Sequence, residues 1–188
     1  MEILEKEDYI YKNQISVHVN DRIFTDILLI EAIEQSIEGK IAKAIHENYV
    51  RYMTDKQIKR PNVKPWEDLS IAFKLSNLNQ ARNYREKLAL IKCEMTLKDE
   101  SREAVTAFTD DEVLLMAKQE HQRWWDEKTE NGWMKAPFRD DMKKRHNCFV
   151  EWDELSEEEK NKDKEPVRNM IKNLDTVGYG VYRIAFFR

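Results

Sequence analysis

Between Gly132 and Phe149 the chain sets Trp133 among Arg139, Lys143, Lys144, Arg145 and His146. An aromatic face beside basic side chains is a physical means of holding an adenine nucleotide. Stacking contributes ~1–3 kcal/mol per base, and arginine can grip a phosphate through two parallel hydrogen bonds. The opposing reading has Trp133 plugging the core and Lys143-Lys144-Arg145 as a solvated face. Both stay open on residue types alone. Asp140-Asp141 lies in the same stretch, but adjacent carboxylates point apart in a loop and no third acid is near. Salt bridges to Arg139 and Lys143, with turn capping, are expected there rather than Ca²⁺ binding. His146-x-Cys148 lacks any zinc spacing, even with His121 added, and Cys148 beside Phe149 and Val150 reads as a small buried apolar residue. No metal and no cofactor is expected.

His46 and His121 each stand three residues before an aromatic, in Ala-Lys-x-x-His-x-x-Tyr and Ala-Lys-x-x-His-x-x-Trp. Equivalent histidines suggest matching structural hydrogen bonds, each capping the other half's loop. No nucleophilic serine or cysteine is placed beside either one. Trp66 and Trp152, each followed by two acids, read as hydrophobic plugs ahead of helix caps. Glu157-Glu158-Glu159 would complement a helix macrodipole. The chain has no glycine-rich phosphate loop, no G-x-S-x-G, no H-E-x-x-H and no C-x-x-C.

The 188 residues carry 32 Lys plus Arg and 36 Asp plus Glu, for a net charge of −4 and 36% charged residues. That balance disfavours a broadly basic nucleic-acid binder. No apolar run approaches the ~20 residues of a bilayer span, and two cysteines make no disulfide scaffold. A reduced cytoplasmic compartment is the expectation, with no membrane partner. Only four Gly and four Pro argue for long helices.

Along the chain, Ile15, Val17 and Val19 alternate with polar residues, predicting a strand within an N-terminal arm over 1–24. From Thr25 an apolar stripe of Ile27, Ile30, Ile33, Ile37, Ile41, Ile45, Tyr49 and Tyr52 predicts one helix, with a break near Gly39. A second helix is expected over 77–93 with Ala81, Tyr84, Leu88 and Ile91 inward, then a linker over 96–108. Thr109 with Glu112 forms a capping box opening a helix that bears Val113, Met116, Ala117, Glu120, Trp124 and Lys128 and stops at Asn131-Gly132. Ser156 with Glu159 caps a short acidic turn. Asp163 to Val177 is expected as the last long helix, with Pro166 in its first turn. The tail from Val181 reads as a strand.

The chain also resembles itself. The Ala-Lys-x-x-His motif recurs 75 residues on, whereas Trp66-Glu67-Asp68-Leu69-Ser70 recurs at Trp152 and Arg82-Asn83 at Arg168-Asn169, both 86 residues on. The expected architecture is α+β, mainly α: two tandem, pseudo-twofold-related helix-loop-helix repeats with short β-ribbons. Repeat 1 spans 25–95, repeat 2 spans 109–180 and a strand closes 181–188, the repeats forming one domain. The difference in offset places an eleven-residue insertion inside 132–149.

Gly-Trp, then Arg-Asp-Asp-x-Lys-x-x-His-x-Cys-Phe-Val, then Glu-Leu-Ser-Glu-x-Glu-Lys and Gly178-Tyr179 resembles the repeat of ryanodine receptors, copies of which also stand alone in bacterial proteins. The likeness runs from about Val113 to Tyr179, and Ile37 to Cys93 resembles it in degenerate form. The resemblance implies a compact module with roles in interaction, regulation and, in some members, adenine-nucleotide binding, and neither ion conduction nor catalysis. The expectation is therefore a non-enzymatic ligand-sensing module. A nucleotide would lie between repeats against Trp133 and Arg139, with Lys143, Arg145 and His146 beside them. The alternative is a protein-interaction or self-associating scaffold using loop 132–149 and Phe186-Phe187. A hydrolase built on His121 or His146 ranks last.

Overall fold

The computed structural model describes residues 33–184. The arm over 1–24, the start of the isoleucine stripe and Phe186-Phe187 lie outside them. The described elements run α1 (Ile37–Asp55), a 3-10 turn (Trp66–Asp68), α2 (Ile71–Arg82), α3 (Tyr84–Leu90), β1 (Cys93–Leu97) and α4 (Asp110–Glu130). Then come β2 (Met134–Lys135), β3 (Arg145–His146), a second 3-10 turn (Trp152–Glu154), α5 (Glu157–Arg168), α6 (Met170–Thr176) and β4 (Tyr179–Arg183). The fold is α+β and mainly helical. The described residues fall into two compact units: one holds those up to Tyr84 together with Lys172–Tyr179, the other holds Arg85–Ile171 and those from Gly180.

In the first unit α1 packs on α2. The break in the apolar stripe falls at Ser36, which caps α1 by accepting from the Gly39 N–H at 3.0 Å. Gly39 explains itself: a Cβ there would stand 2.1 Å from the Ile33 carbonyl oxygen. Ile41 and Ala42 are fully buried, with Leu78 and Ala81 of α2 nearly so. Asn173 of α6 joins this unit, bonded to Asn48 of α1 and donating to the Tyr84 hydroxyl at 2.8 Å.

In the second unit α4 packs on α5, with Met116, Ala117 and Leu88 at zero exposure. Truncating such residues costs ~2–5 kcal/mol for a large side chain. The capping box is made as expected: Thr109 accepts from Glu112 N–H while Glu112 accepts from Thr109 N–H. Gly132 ends the helix at φ 77°, a left-handed conformation that suits glycine. β1 pairs with β4. Around that pair the Val105 N–H bonds the Val181 carbonyl at 2.8 Å, the Ile184 N–H bonds the Lys92 carbonyl at 2.9 Å, and the Asp99 N–H bonds the Tyr182 hydroxyl at 2.7 Å.

Three elements differ from the sequence expectation. The helix expected over 77–93 is two helices, α2 starting earlier at the Ser70 cap and α3 ending at Leu90. Asn83 interrupts them, and the chain then turns through Lys92 at φ 55° into a strand. The inward residues are nonetheless right, since Ala81, Tyr84, Leu88 and Ile91 are all buried. The short acidic turn and the last helix are likewise α5 and α6, interrupted at Asn169. Pro166 sits in the last turn of α5, not a first turn. It can sit there because it only deprives the Lys162 carbonyl of a donor shortly before the helix stops.

Both interruptions occupy matching places. A Trp-led 3-10 turn, a serine-capped helix of 12 residues, an asparagine break and a helix of 7 residues occur in that order twice. Trp66 and Trp152, Ser70 and Ser156, and Asn83 and Asn169 are each 86 residues apart.

Candidate functional site

Loop 132–149 leaves α4 at Gly132 and is folded on its own backbone. β3 is bonded along both edges. On one side it runs parallel to β2, with Met134 N–H to the Lys144 carbonyl at 2.9 Å and Ala136 N–H to the His146 carbonyl at 3.0 Å. On the other side Asp140 and Arg145 exchange backbone bonds of 2.9 and 2.8 Å. Lys144 at φ 51° turns the chain between them. Asp140 also caps the turn by accepting from Lys143 N–H at 3.1 Å. Asp141 takes the Arg139 guanidinium in a two-point clasp of 2.6 and 3.0 Å.

Aromatic rings fasten the loop to α4. His146 lies 5.0 Å from Trp124 and 6.1 Å from Trp133 between ring centroids, while Phe149 lies 5.3 Å from Trp124 and 5.4 Å from Trp125. The Lys128 ammonium stands 5.0 Å over the Trp133 ring, a cation–π contact. The structure thus brings Trp133 and His146 together. Arg139 is close enough to act on His146: burial first, and the guanidinium second, hold its imidazolium below the usual histidine range. Lys143 and Arg145 are exposed, and Lys143 stands 3.9 Å from Asp140. Among the described residues the side chains of Lys135 and Arg145 hold no hydrogen-bond or ion-pair partner.

Cys148 is buried, its N–H bonds the Nδ1 of His146 at 3.1 Å, and burial, with Glu159 next, pushes its thiol up to about 12. A thiol with that titration point is not an available nucleophile at neutral pH.

The two repeated histidines do make matching bonds, to the loop of their own half rather than the opposite one. His46 Nε2 meets the Lys64 carbonyl at 2.7 Å and His121 Nε2 the Val150 carbonyl at 2.9 Å. Each carbonyl lies two residues before the tryptophan that packs on the same imidazole, Trp66 at 5.9 Å and Trp152 at 6.1 Å. The loop returns to its own helix because α1 packs on α2 and α4 on α5. His121 alone has a second partner, Asp163 Oδ2, 3.2 Å from its Nδ1. Arg82 and Arg168 take no part in either cluster; they end α2 and α5 as exposed residues, where a cation suits the helix dipole.

α4 also carries a buried ionic group. Lys87 of α3 meets Glu120 at 2.6 Å with both side chains at most 5% exposed. Arg123 bonds Glu120 at 2.7 Å and Glu127 at 2.6 Å. Burial favours a neutral Glu120, but Lys87 and Arg123 outweigh it and hold the carboxyl below its usual range. Burial in turn pushes the Lys87 ammonium down. Glu120 facing two cations is the firm charge of the group.

The sequence from Asp99 to Arg183, running from the residue that bonds Tyr182 to the end of β4, matches the RyR domain family. Over residues 99–183 the chain is similar to a RyR domain. The bounds of that likeness reach beyond Val113 to Tyr179, the stretch whose motifs carry the resemblance, yet they omit β1 and Lys87, which complete the strand pair and the ionic group. Expressed as 99–188, the RyR-like segment should therefore unfold without cooperativity, whereas 85–188 should retain a sigmoidal melt by circular dichroism. Equal transitions for both would show that α3 and β1 are dispensable. Sequence reasoning missed Lys87, Arg123 and Asp163 as partners. Glu120 on the apolar stripe of the RyR-like segment's first helix was the available signal. No local pattern pointed to Asp163.

Proposed function

We propose that the chain is a non-catalytic, regulatory binding module whose RyR-like segment offers loop 132–149 to an anionic ligand, with an adenine nucleotide the first candidate. The observation that carries this reading is Trp133 set beside His146, on a loop whose Arg145 guanidinium is exposed and, among the described residues, without a partner. Trp133 would stack on the base, and Lys143 and Arg145 would take phosphate. Arg139 joins them only when Asp141 lets go. Support for a non-catalytic role is that both ring nitrogens of His121 are engaged and that the Cys148 thiol is held protonated.

A thermal-shift panel of AMP, ADP, ATP, NAD and cyclic nucleotides tests the reading. A stabilising shift abolished in Trp133→Ala and Arg145→Ala is expected, and no shift at millimolar ligand overturns it.

The matched order of turns, caps and breaks supports two copies of one unit. So does an equivalence inside the units. Asn173 stands 86 residues after Lys87, and Asn48 stands 75 before Arg123. Asn173 bonds Asn48 of α1, whereas Lys87 bonds α4 at Glu120, about one turn before Arg123, so the two contacts fall on neighbouring turns of the paired helices.

A second reading, a protein-interaction scaffold, is favoured by α2. Phe73 and Leu75 are 42% and 48% exposed, and Leu75 lines an apolar hollow with Ala42, Trp66, Ile71 and Leu78, while the matching positions of α5 are Glu159 and Asn161. A mass that grows with concentration in light scattering, and reverts in Leu75→Glu, would favour it.

A further inference from the structure

Three large apolar side chains of loop 132–149 are turned to solvent: Met134 at 58%, Phe138 at 63% and Met142 at 95% exposure. Met142 belongs to the turn closed by the Asp140–Arg145 pairing, and Phe138 and Met142 sit immediately either side of the Arg139–Asp141 clasp. The same loop carries five basic and two acidic residues in a chain of net charge −4. Both acids are engaged within the loop, Asp141 by Arg139 and Asp140 by the Lys143 N–H and ammonium. Lys135, Lys144 and Arg145 are left to set the sign of the surface.

We propose that this tip docks on an anionic lipid bilayer, Phe138 and Met142 entering the interface while Lys135, Lys143, Lys144 and Arg145 meet lipid phosphates. The geometry favours a bilayer over an acidic peptide. A peptide needs a groove with walls, and a side chain 95% exposed on a turn projects instead of lining one. Long basic side chains suit this arrangement because their stems lie along apolar surface while the charge reaches the headgroups. Exposed apolar side chains interspersed along one loop with basic ones are the chemistry that interfacial binding uses. The proposal rests on reading the loop as a phosphate-accepting surface and names a lipid as the source of the phosphate.

Co-sedimentation of the full chain with vesicles of phosphatidylcholine, alone or mixed with phosphatidylglycerol, tests it. Binding is expected only to the anionic vesicles, falling with salt and roughly fivefold in Arg145→Ala. Phe138→Glu and Met142→Glu should abolish it while leaving the melting temperature unchanged, since both side chains are exposed. No binding to anionic vesicles at low salt overturns the proposal, as does binding that both glutamate variants retain. Capture by soluble polyglutamate without vesicle binding overturns it in favour of a peptide. A nucleotide-induced thermal shift without vesicle binding sinks the lipid source and spares the anion site. Vesicle binding without any nucleotide shift sinks the nucleotide reading and spares the lipid.

Discussion

Raising the pH above about 6.5 should lower the melting temperature, and His121→Gln should remove that loss. The reason is geometric. A carbonyl can only accept, so the Nε2 of His121 must carry a hydrogen toward Val150. Nδ1 then either donates to the Asp163 carboxylate or accepts from the Asp163 acid. In both arrangements the pair holds one proton more than a neutral imidazole beside a carboxylate. Burial opposes the charged ring, but Asp163 and the Val150 carbonyl prevail and hold the imidazole above the ordinary histidine range. Burial likewise raises the Asp163 carboxyl, with His121 opposing it. Glu151 also faces the ring, and Glu120 and Arg123 face the carboxyl.

Both raised groups make the folded state bind more protons than the unfolded one. The His121 contribution is therefore complete below about 6.5 and is lost as the pH climbs through the raised folded value. The Asp163 contribution is complete below about 3.9 and fades through its own raised value. His146 has the opposite sign: its imidazolium is disfavoured, so its contribution is present above about 6.5 and fades on acidification. A maximum near pH 6.5 results, with the alkaline limb belonging to His121. Losing one buried bond costs ~1–3 kcal/mol. Imidazole chemical shifts across the titration assign each limb. An alkaline limb that persists in His121→Gln defeats this account.

Replacing Glu120 with alanine should cost about 3–5 kcal/mol, the cost of leaving buried cations without their partner. Lys87→Met should cost less, because Arg123 still neutralises Glu120 and Glu127 still holds Arg123. Glu120→Leu combined with Lys87→Met should recover most of the loss, since a well-packed apolar pair can replace a buried ion pair. Urea unfolding of the three variants decides it. If Glu120→Ala costs under 1 kcal/mol, the group behaves as a surface pair and its burial has been misjudged.

How much of this could be read from the sequence depends on the distance between causes. The start of α4 was legible because Thr109 and Glu112 are three residues apart and act on each other. Its end was legible because Gly132 alone supplies the left-handed turn. The inward faces of α2 and α3 were legible because period and burial share one cause. β1 was not. Cys93, Met95 and Leu97 alternate, but the partner that makes them a strand is β4, more than 80 residues away. Asp163 is invisible for the same reason, reaching His121 only because α4 packs on α5. The clasp of Arg139 by Asp141 was anticipated from proximity. The solvent-facing Phe138 and Met142 were not, since exposure of an apolar side chain has no local signature.

The division of the chain into units has a consequence in time. Residues 172–179 belong with the chain up to Tyr84. At a synthesis rate of roughly 5–20 residues per second, about 5–20 s separate the emergence of Tyr84 from that of Lys172. Through that interval the N-terminal helices wait for Asn173, which accepts from the Asn48 amide, so the unit whose helices emerge first is closed only after the body of the other has been made. A truncation ahead of Lys172 would therefore remove the closing segment of both units rather than of one.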